Sequence, residues 1–193
     1  GAEAVAYYNI AYTASVRLWD ISSTISQVFL PRFSRAVSLR QQQKFWDEYR
    51  LAYWLSFGVS AGVALVLLLF GDRLIDIWVG GDVAAKAVPT FYILLLAVMS
   101  TTPSWVNGNA LIARGRTGIL GAISVVVACF AVAMGFLLIP NLGVMGAVVS
   151  WGLAYGISAV LQQALVQIEF LKDRNAGLQQ GSTRTLENSN TLL

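Results

Sequence analysis

Apolar residues in this chain gather in long blocks separated by short polar segments, with no sustained alternation of apolar and polar positions. The blocks run at about residues 4–30, 51–70, 87–113, 118–139 and 144–171. Each is close to or longer than the roughly 20 residues an α-helix needs to cross a hydrocarbon core about 30 Å thick. The pattern predicts an all-α fold, a polytopic membrane helix bundle of about five transmembrane helices. Proline lacks an amide hydrogen and clashes with the preceding turn, so the first helix is expected to stop at Pro31. The turn Gly71-Asp72 closes the second helix, and Pro140-Asn141-Leu142-Gly143 separates the fourth from the fifth. From Lys172 the chain becomes rich in Gly, Gln, Ser, Thr and Asn, so a disordered tail is expected over 172–193 after a bundle over 1–171.

Composition agrees with this reading and removes several function classes. Hydrophobic residues make up 56% of the chain and charged residues 12%, against about 25% charged in a soluble domain. No basic stretch precedes a short apolar core and cleavage site, so no signal peptide is expected, and the sequence reads as a piece of something longer. There is no histidine, hence no histidine metal ligand or proton shuttle. The single cysteine, Cys129, lies inside an apolar block and reads as a small packing residue. No glycine loop precedes a Lys-Ser/Thr pair, and no Ser/His/Asp or metal-binding set is visible. Neither a cofactor nor enzymatic activity is expected.

Charge gives the orientation. Arg32, Arg35, Arg40, Lys44 and Arg50 follow the first helix, Arg114 and Arg116 follow the third, and Lys172, Arg174 and Arg184 follow the fifth. These alternate ends hold ten of the thirteen basic residues; the opposite ends hold Arg73 and Lys86 beside Glu3, Asp72, Asp76 and Asp82. The positive-inside rule puts the Arg-rich loops and the tail in the cytoplasm. Orientation accounts for the basic excess, so the net charge of +3 does not point to nucleic acid. In the segment 31–50, Phe33, Val37, Phe45 and Trp46 are interleaved with the basic residues. A short amphipathic helix on the cytoplasmic surface fits, either as a solvated basic loop or as a binder of anionic lipid headgroups.

The first helix carries the candidate chemistry. Asn9, Thr13, Arg17, Asp20, Thr24 and Gln27 recur at spacings of three and four, which confines them to one face about 80° wide. Ala11, Ala14, Leu18, Ile21, Ile25 and Val28 occupy another face, suited to lipid. A polar stripe as long as a membrane helix has to meet protein or a water-filled cavity. Arg17 and Asp20, near mid-span, can pair at i, i+3. Two readings stay open: a neutralised pair that pins helix packing, or a cavity wall on which Arg17 attracts an anionic substrate group and Asp20 binds a coupling proton or cation.

The third helix adds Ser100, Thr101, Thr102, Pro103, Ser104, Trp105, Asn107 and Asn109. A kink is expected at Pro103, with neighbouring hydroxyls satisfying the freed backbone, or a bend that opens a cavity faced by Asn107. Gly58 with Gly62 and Gly152 with Gly156 are spaced for close helix approach. Trp54, Trp78 and Trp105 read as interfacial anchors.

Several segments together resemble the polysaccharide and O-antigen lipid flippases of the multidrug/oligosaccharidyl-lipid/polysaccharide exporter superfamily. They are Ala6-Tyr-Tyr-Asn-Ile-Ala-Tyr12, Phe29-Leu-Pro-Arg-Phe-Ser34, Ile75-Asp-Ile-Trp-Val-Gly-Gly81, the stretch Ala110 to Arg116, and Leu138-Ile-Pro-Asn-Leu-Gly-Val-Met-Gly-Ala147. The resemblance runs from Gly1 to about Leu171 and implies most of the second lobe of a two-lobed, alternating-access transporter of the bacterial cytoplasmic (inner) membrane. It implies a substrate, an undecaprenyl-diphosphate-linked oligosaccharide, with a proton or sodium ion as the coupling partner. Membrane lipids and a missing N-terminal lobe would be the other partners, and the fragment is not expected to transport alone. The rival expectations are a cation-coupled multidrug extruder of the same superfamily and a non-transporting membrane scaffold subunit.

Overall fold

The computed structural model describes the backbone of residues 2–190 and the side chains of residues 6–175. It comprises five helices, α1 (Ala2–Ser38), α2 (Gln42–Val79), α3 (Gly81–Ala113), α4 (Thr117–Leu142) and α5 (Val144–Asn190), with no strand among the described residues. Helices α2, α3, α4 and the described part of α5 are each long and apolar enough to cross a membrane. The chain is an all-α, multi-pass membrane protein. Helix α1 is long enough but too polar along its length to qualify by composition, which is the polar stripe read in the sequence.

Short connections join successive helices. Helix α3 sits in the middle: α1 and α2 pack on it and on each other, α5 packs on another side, and α4 is attached chiefly through α5. Two apolar clusters fill the interior. One joins Ala11, Leu18, Ala64, Ile75, Phe91, Leu94 and Val98; the other, at the basic end, joins Phe29, Phe33, Phe45, Trp46, Tyr49, Val106 and Leu111.

The first helix does not stop at Pro31; it continues to Ser38. Proline forfeits the bond to the Gln27 carbonyl, but Phe29, Phe33 and Ala36 extend the buried stripe past it at helical spacing. The real terminus is a Schellman turn: Arg40 takes φ +53°, its amide donates to Val37 O at 3.0 Å, and the Gln41 amide donates to Ala36 O at 2.9 Å. Gly115, with φ +73°, closes α3 the same way through Ile112 O and Leu111 O, both at 2.9 Å. Helix α4 likewise passes through Pro140 to Leu142, leaving Gly143 at φ +57° as the whole turn to α5.

The expected surface helix over 31–50 is absent. Its first part completes α1, its last part opens α2, and Phe33, Phe45 and Trp46 are buried. The basic ends meet there and bring their own counter-charges. Arg114 is held by Glu169 at 3.1 Å and by Asp173, all three largely buried, with its guanidinium over the rings of Phe45 and Trp46. Arg116 pairs with Glu169 at 3.2 Å and Arg32 with Glu48 at 3.3 Å. Lys172 and Asp173 thus belong to the packed helix α5. The side chains of the expected disordered tail from Ala176 onward, Arg184 among them, and that of Glu3 lie outside the described residues.

Of the four spaced glycines, only Gly152 sits at a close helix approach. Nothing stands within 4 Å of a Cβ at Gly58, Gly62 or Gly156, whereas one at Gly152 would stand 3.1 Å from Ala97 Cβ. The tightest site is Gly146, where a Cβ would meet the Leu138 carbonyl at 2.5 Å. Cys129 is exposed on α4 and does not pack in the interior.

Candidate functional site

Helix α1 has two contrasting faces. Its inward face carries Ala11, Ser15, Leu18, Ser22, Ser26, Phe29, Phe33 and Ala36, all buried. The small residues let α2 and α3 come close, and the hydroxyls bond across the seams. Ser22 Oγ and Ser60 Oγ share a hydrogen bond at 2.6 Å, joining α1 to α2. Ser26 Oγ donates to Trp105 O at 2.7 Å and accepts from Asn109 Nδ2 at 2.8 Å, joining α1 to α3. Such bonds serve as helix glue where water is absent.

Asn9, Thr13, Arg17, Asp20, Thr24 and Gln27 lie on the opposite face, and all six are exposed. The stripe therefore exists as read, but the apolar face assigned to lipid is reversed. Ala11 and Leu18 are fully buried, Ala14, Ile21 and Ile25 are half-buried, and only Val28 is open. Serine made the difference: Ser15, Ser22 and Ser26 are compatible with a tight interior seam, so a face rich in them was available for packing. Arg17 Nη1 stands 3.4 Å from Asp20 Oδ2, with the two side chains 73% and 62% exposed. Thr24 donates to Asp20 O at 2.8 Å. No other helix among the described residues covers this face.

Asn107 is not part of it. It is fully buried, accepting from Tyr49 Oη at 2.8 Å and donating to Gln163 Oε1 at 2.9 Å. Its role is to tie α2, α3 and α5 together, so the cavity-facing expectation for Asn107 is corrected. The hydroxyl part of the Pro103 expectation holds: Thr102 Oγ1 donates at 2.8 Å to Met99 O, the carbonyl that Pro103 deprives of its amide. Helix α3 runs uninterrupted through that position. Trp78 is exposed at the end of α2 and Trp54 is exposed well inside it, whereas Trp105 is half-buried against Trp19 at 5.7 Å between ring centres and is no interfacial anchor.

Beside the stripe lies an aromatic seam that the sequence reading did not assemble. Tyr8, Tyr12 and Trp19 of α1 stack with Trp151 and Tyr155 of α5 and with Trp105 of α3. Trp19, Trp105 and Tyr155 border a cavity of about 320 Å³ reaching from α1 across α3 and α5 to α4. Three of its polar atoms, Ser104 Oγ, Trp105 Nε1 and Gln162 Oε1, are buried without a partner. A more apolar cavity of about 590 Å³, between Tyr8 of α1 and Val132, Phe136 and Trp151 of α4 and α5, occupies the same side of the bundle. The available signal was spacing: residues 8, 12 and 19 share one flank of α1, and 151 and 155 share a face of α5. No group of three or more His, Cys, Asp or Glu able to hold a metal occurs among the described residues.

Among proteins of known description, the chain is similar to the "Putative O-antigen transporter" of Shigella flexneri. The two are 22% identical over 165 residues, which is 86% of this chain and 39% of that protein. The chain spans about two-fifths of its relative's length. No family model and no solved structure matches it. The comparison agrees with the resemblance read from the sequence, and the relative is named as a transporter rather than an enzyme.

Proposed function

We propose that this chain forms part of one lobe of a transporter that moves a lipid-linked oligosaccharide, of the undecaprenyl-diphosphate class, across the bacterial cytoplasmic membrane by alternating access. The observation that carries the reading is the exposed polar face of α1. An arginine at the centre of a membrane helix costs roughly 2.5–3.5 kcal/mol when it must meet lipid, and five further polar residues share its face. Such a face belongs beside water or further protein. The relative is more than twice as long as the matched region, which leaves ample chain for a second lobe across an aqueous path. The substrate class comes from the relative's name and the sequence resemblance. The Arg17 guanidinium would meet the diphosphate, while Asp20 holds it extended along the stripe.

The Arg-rich helix ends face the cytoplasm in this proposal, which follows the positive-inside rule. The multidrug-extruder alternative wants a net acidic cavity, and Asp20 paired with Arg17 at 3.4 Å offers none. The scaffold alternative predicts that the stripe is sealed against protein.

A cysteine scan along residues 9–27 in the full-length transporter, probed with a membrane-impermeant thiol reagent, separates these outcomes. Labelling at positions 13, 17, 20 and 24 with protection at 15, 18 and 22 is expected. Uniform protection would leave the scaffold reading standing. Arg17→Ala is expected to cut oligosaccharide translocation at least tenfold while membrane insertion stays normal; undiminished export would remove Arg17 from the substrate path.

A further inference from the structure

We infer that the pocket between α2 and α5 at the basic end of the bundle is a binding site for the phosphate of an anionic membrane lipid. The pocket has a volume of about 320 Å³ and is lined by Arg50, Tyr53, Trp54, Gln163, Gln167 and Phe170, together with Trp46 and Tyr49. It lies on a different pair of helices from the α1 stripe and has no part in the substrate path proposed above.

Three features fix the ligand's chemistry. First, Arg50 has no carboxylate within ion-pair distance among the described residues, unlike Arg32, Arg114 and Arg116 at the same end. Its guanidinium rests over the Phe170 ring, 5.6 Å from the centre, which holds it at the pocket. Second, the remaining polar groups offer hydrogen-bond donors. The Gln163 carbonyl oxygen accepts from Asn107 at 2.9 Å, so the group it can offer is the amide NH2, a donor. Tyr49 and Trp46 spend their protons on Asn107 and Asp173, and among the described residues the Gln167 amide and Trp54 indole have no hydrogen-bond partner. One fixed cation among spare donors selects an anion with several acceptor oxygens. Third, the height is right. Arg50 precedes the apolar block at 51–70 by one residue, and Trp54, 66% exposed, stands one turn deeper, as expected at the headgroup boundary. Basic pockets between helices at this level suit anionic headgroups.

The test uses the chain reconstituted in phosphatidylcholine nanodiscs, with phosphatidylglycerol brominated near the glycerol as a contact quencher of tryptophan fluorescence. Brominated phosphatidylglycerol should associate about fivefold more strongly than brominated phosphatidylcholine, the preference expected for one basic residue. Arg50→Gln should bring the two lipids to parity, and Arg50→Lys should keep part of the preference while reporting on folding. Arg35→Gln, an exposed arginine outside the pocket, should leave the preference intact. Equal quenching by both lipids in the unaltered chain, or an equal loss in Arg35→Gln, would overturn the site. Displacement of the brominated lipid by inorganic phosphate would overturn the lipid assignment in favour of a soluble phosphate.

Discussion

Helices α1 and α4 both lie at the edge of the bundle and both expose a long face, yet the two faces differ in kind. Helix α4 presents Val125, Val126, Val132, Phe136 and Leu137, and buries only Val127 and Gly135. Helix α1 presents Asn9, Thr13, Arg17, Asp20, Thr24 and Gln27, and buries a stripe of serine, alanine, leucine and phenylalanine. In water the first face would be the anomaly; in a bilayer it is the second. Lipid provides a solvent for valine and phenylalanine and none for an arginine–aspartate pair. The comparison teaches that exposure in a membrane bundle marks two media, and that composition tells which one each face meets.

A charge placed on each face is the strongest test. Val126→Arg on α4 should cost about 3 kcal/mol of insertion, read as the inserted fraction in a glycosylation-mapping assay. Thr13→Arg on α1 should cost far less, because it joins an existing polar face. Equal penalties would make both faces lipid-facing and end the distinction.

The attachment of the two helices differs too. Helix α4 is held at its turn by backbone against backbone, so Gly146→Ala forces a Cβ to within 2.5 Å of the Leu138 carbonyl. We expect a loss of about 2 kcal/mol, seen as a lower melting temperature in detergent. Helix α1 is held by hydroxyls: Ser22→Ala should cost only about 0.6 kcal/mol, the usual worth of such a bond between membrane helices. A double-mutant cycle with Ser60→Ala isolates that term. The smallest expected effect is that of Arg17→Ala on stability, within about 0.5 kcal/mol, because the pair with Asp20 is exposed and neither side chain has another ion pair among the described residues. A large destabilisation there would move Arg17 from the transport path to the packing of the fold.

Much of this was legible beforehand, for physical reasons that differ by feature. Five helices follow from block length, and the polar stripe follows from spacing at 100° per residue, both of which are local properties. The aromatic seam was less visible because its members, Trp19, Trp105, Trp151 and Tyr155, come from three helices. Asn107 looked like a cavity residue because its partners, Tyr49 and Gln163, lie 58 and 56 positions away. The segment 31–50 looked like a surface helix because its basic residues suggested water, while Phe33, Phe45 and Trp46 were already committed to the interior.

The sequence alone determined that this chain is a helical membrane bundle, that one helix carries a polar face, and that basic residues gather at one set of helix ends. Hydropathy and periodicity suffice for these, since each concerns a single helix and its solvent. Only the tertiary structure decided which face of α1 turns inward, that α1 and α4 run through their prolines, and that Asn107 is a tie between helices. These outcomes depend on what the neighbouring helices offer. A serine pairs with a serine 38 positions away, and a carbonyl freed by Pro103 is recovered by Thr102. The energy of packing belongs to pairs of surfaces, and a sequence read one helix at a time contains only half of each pair.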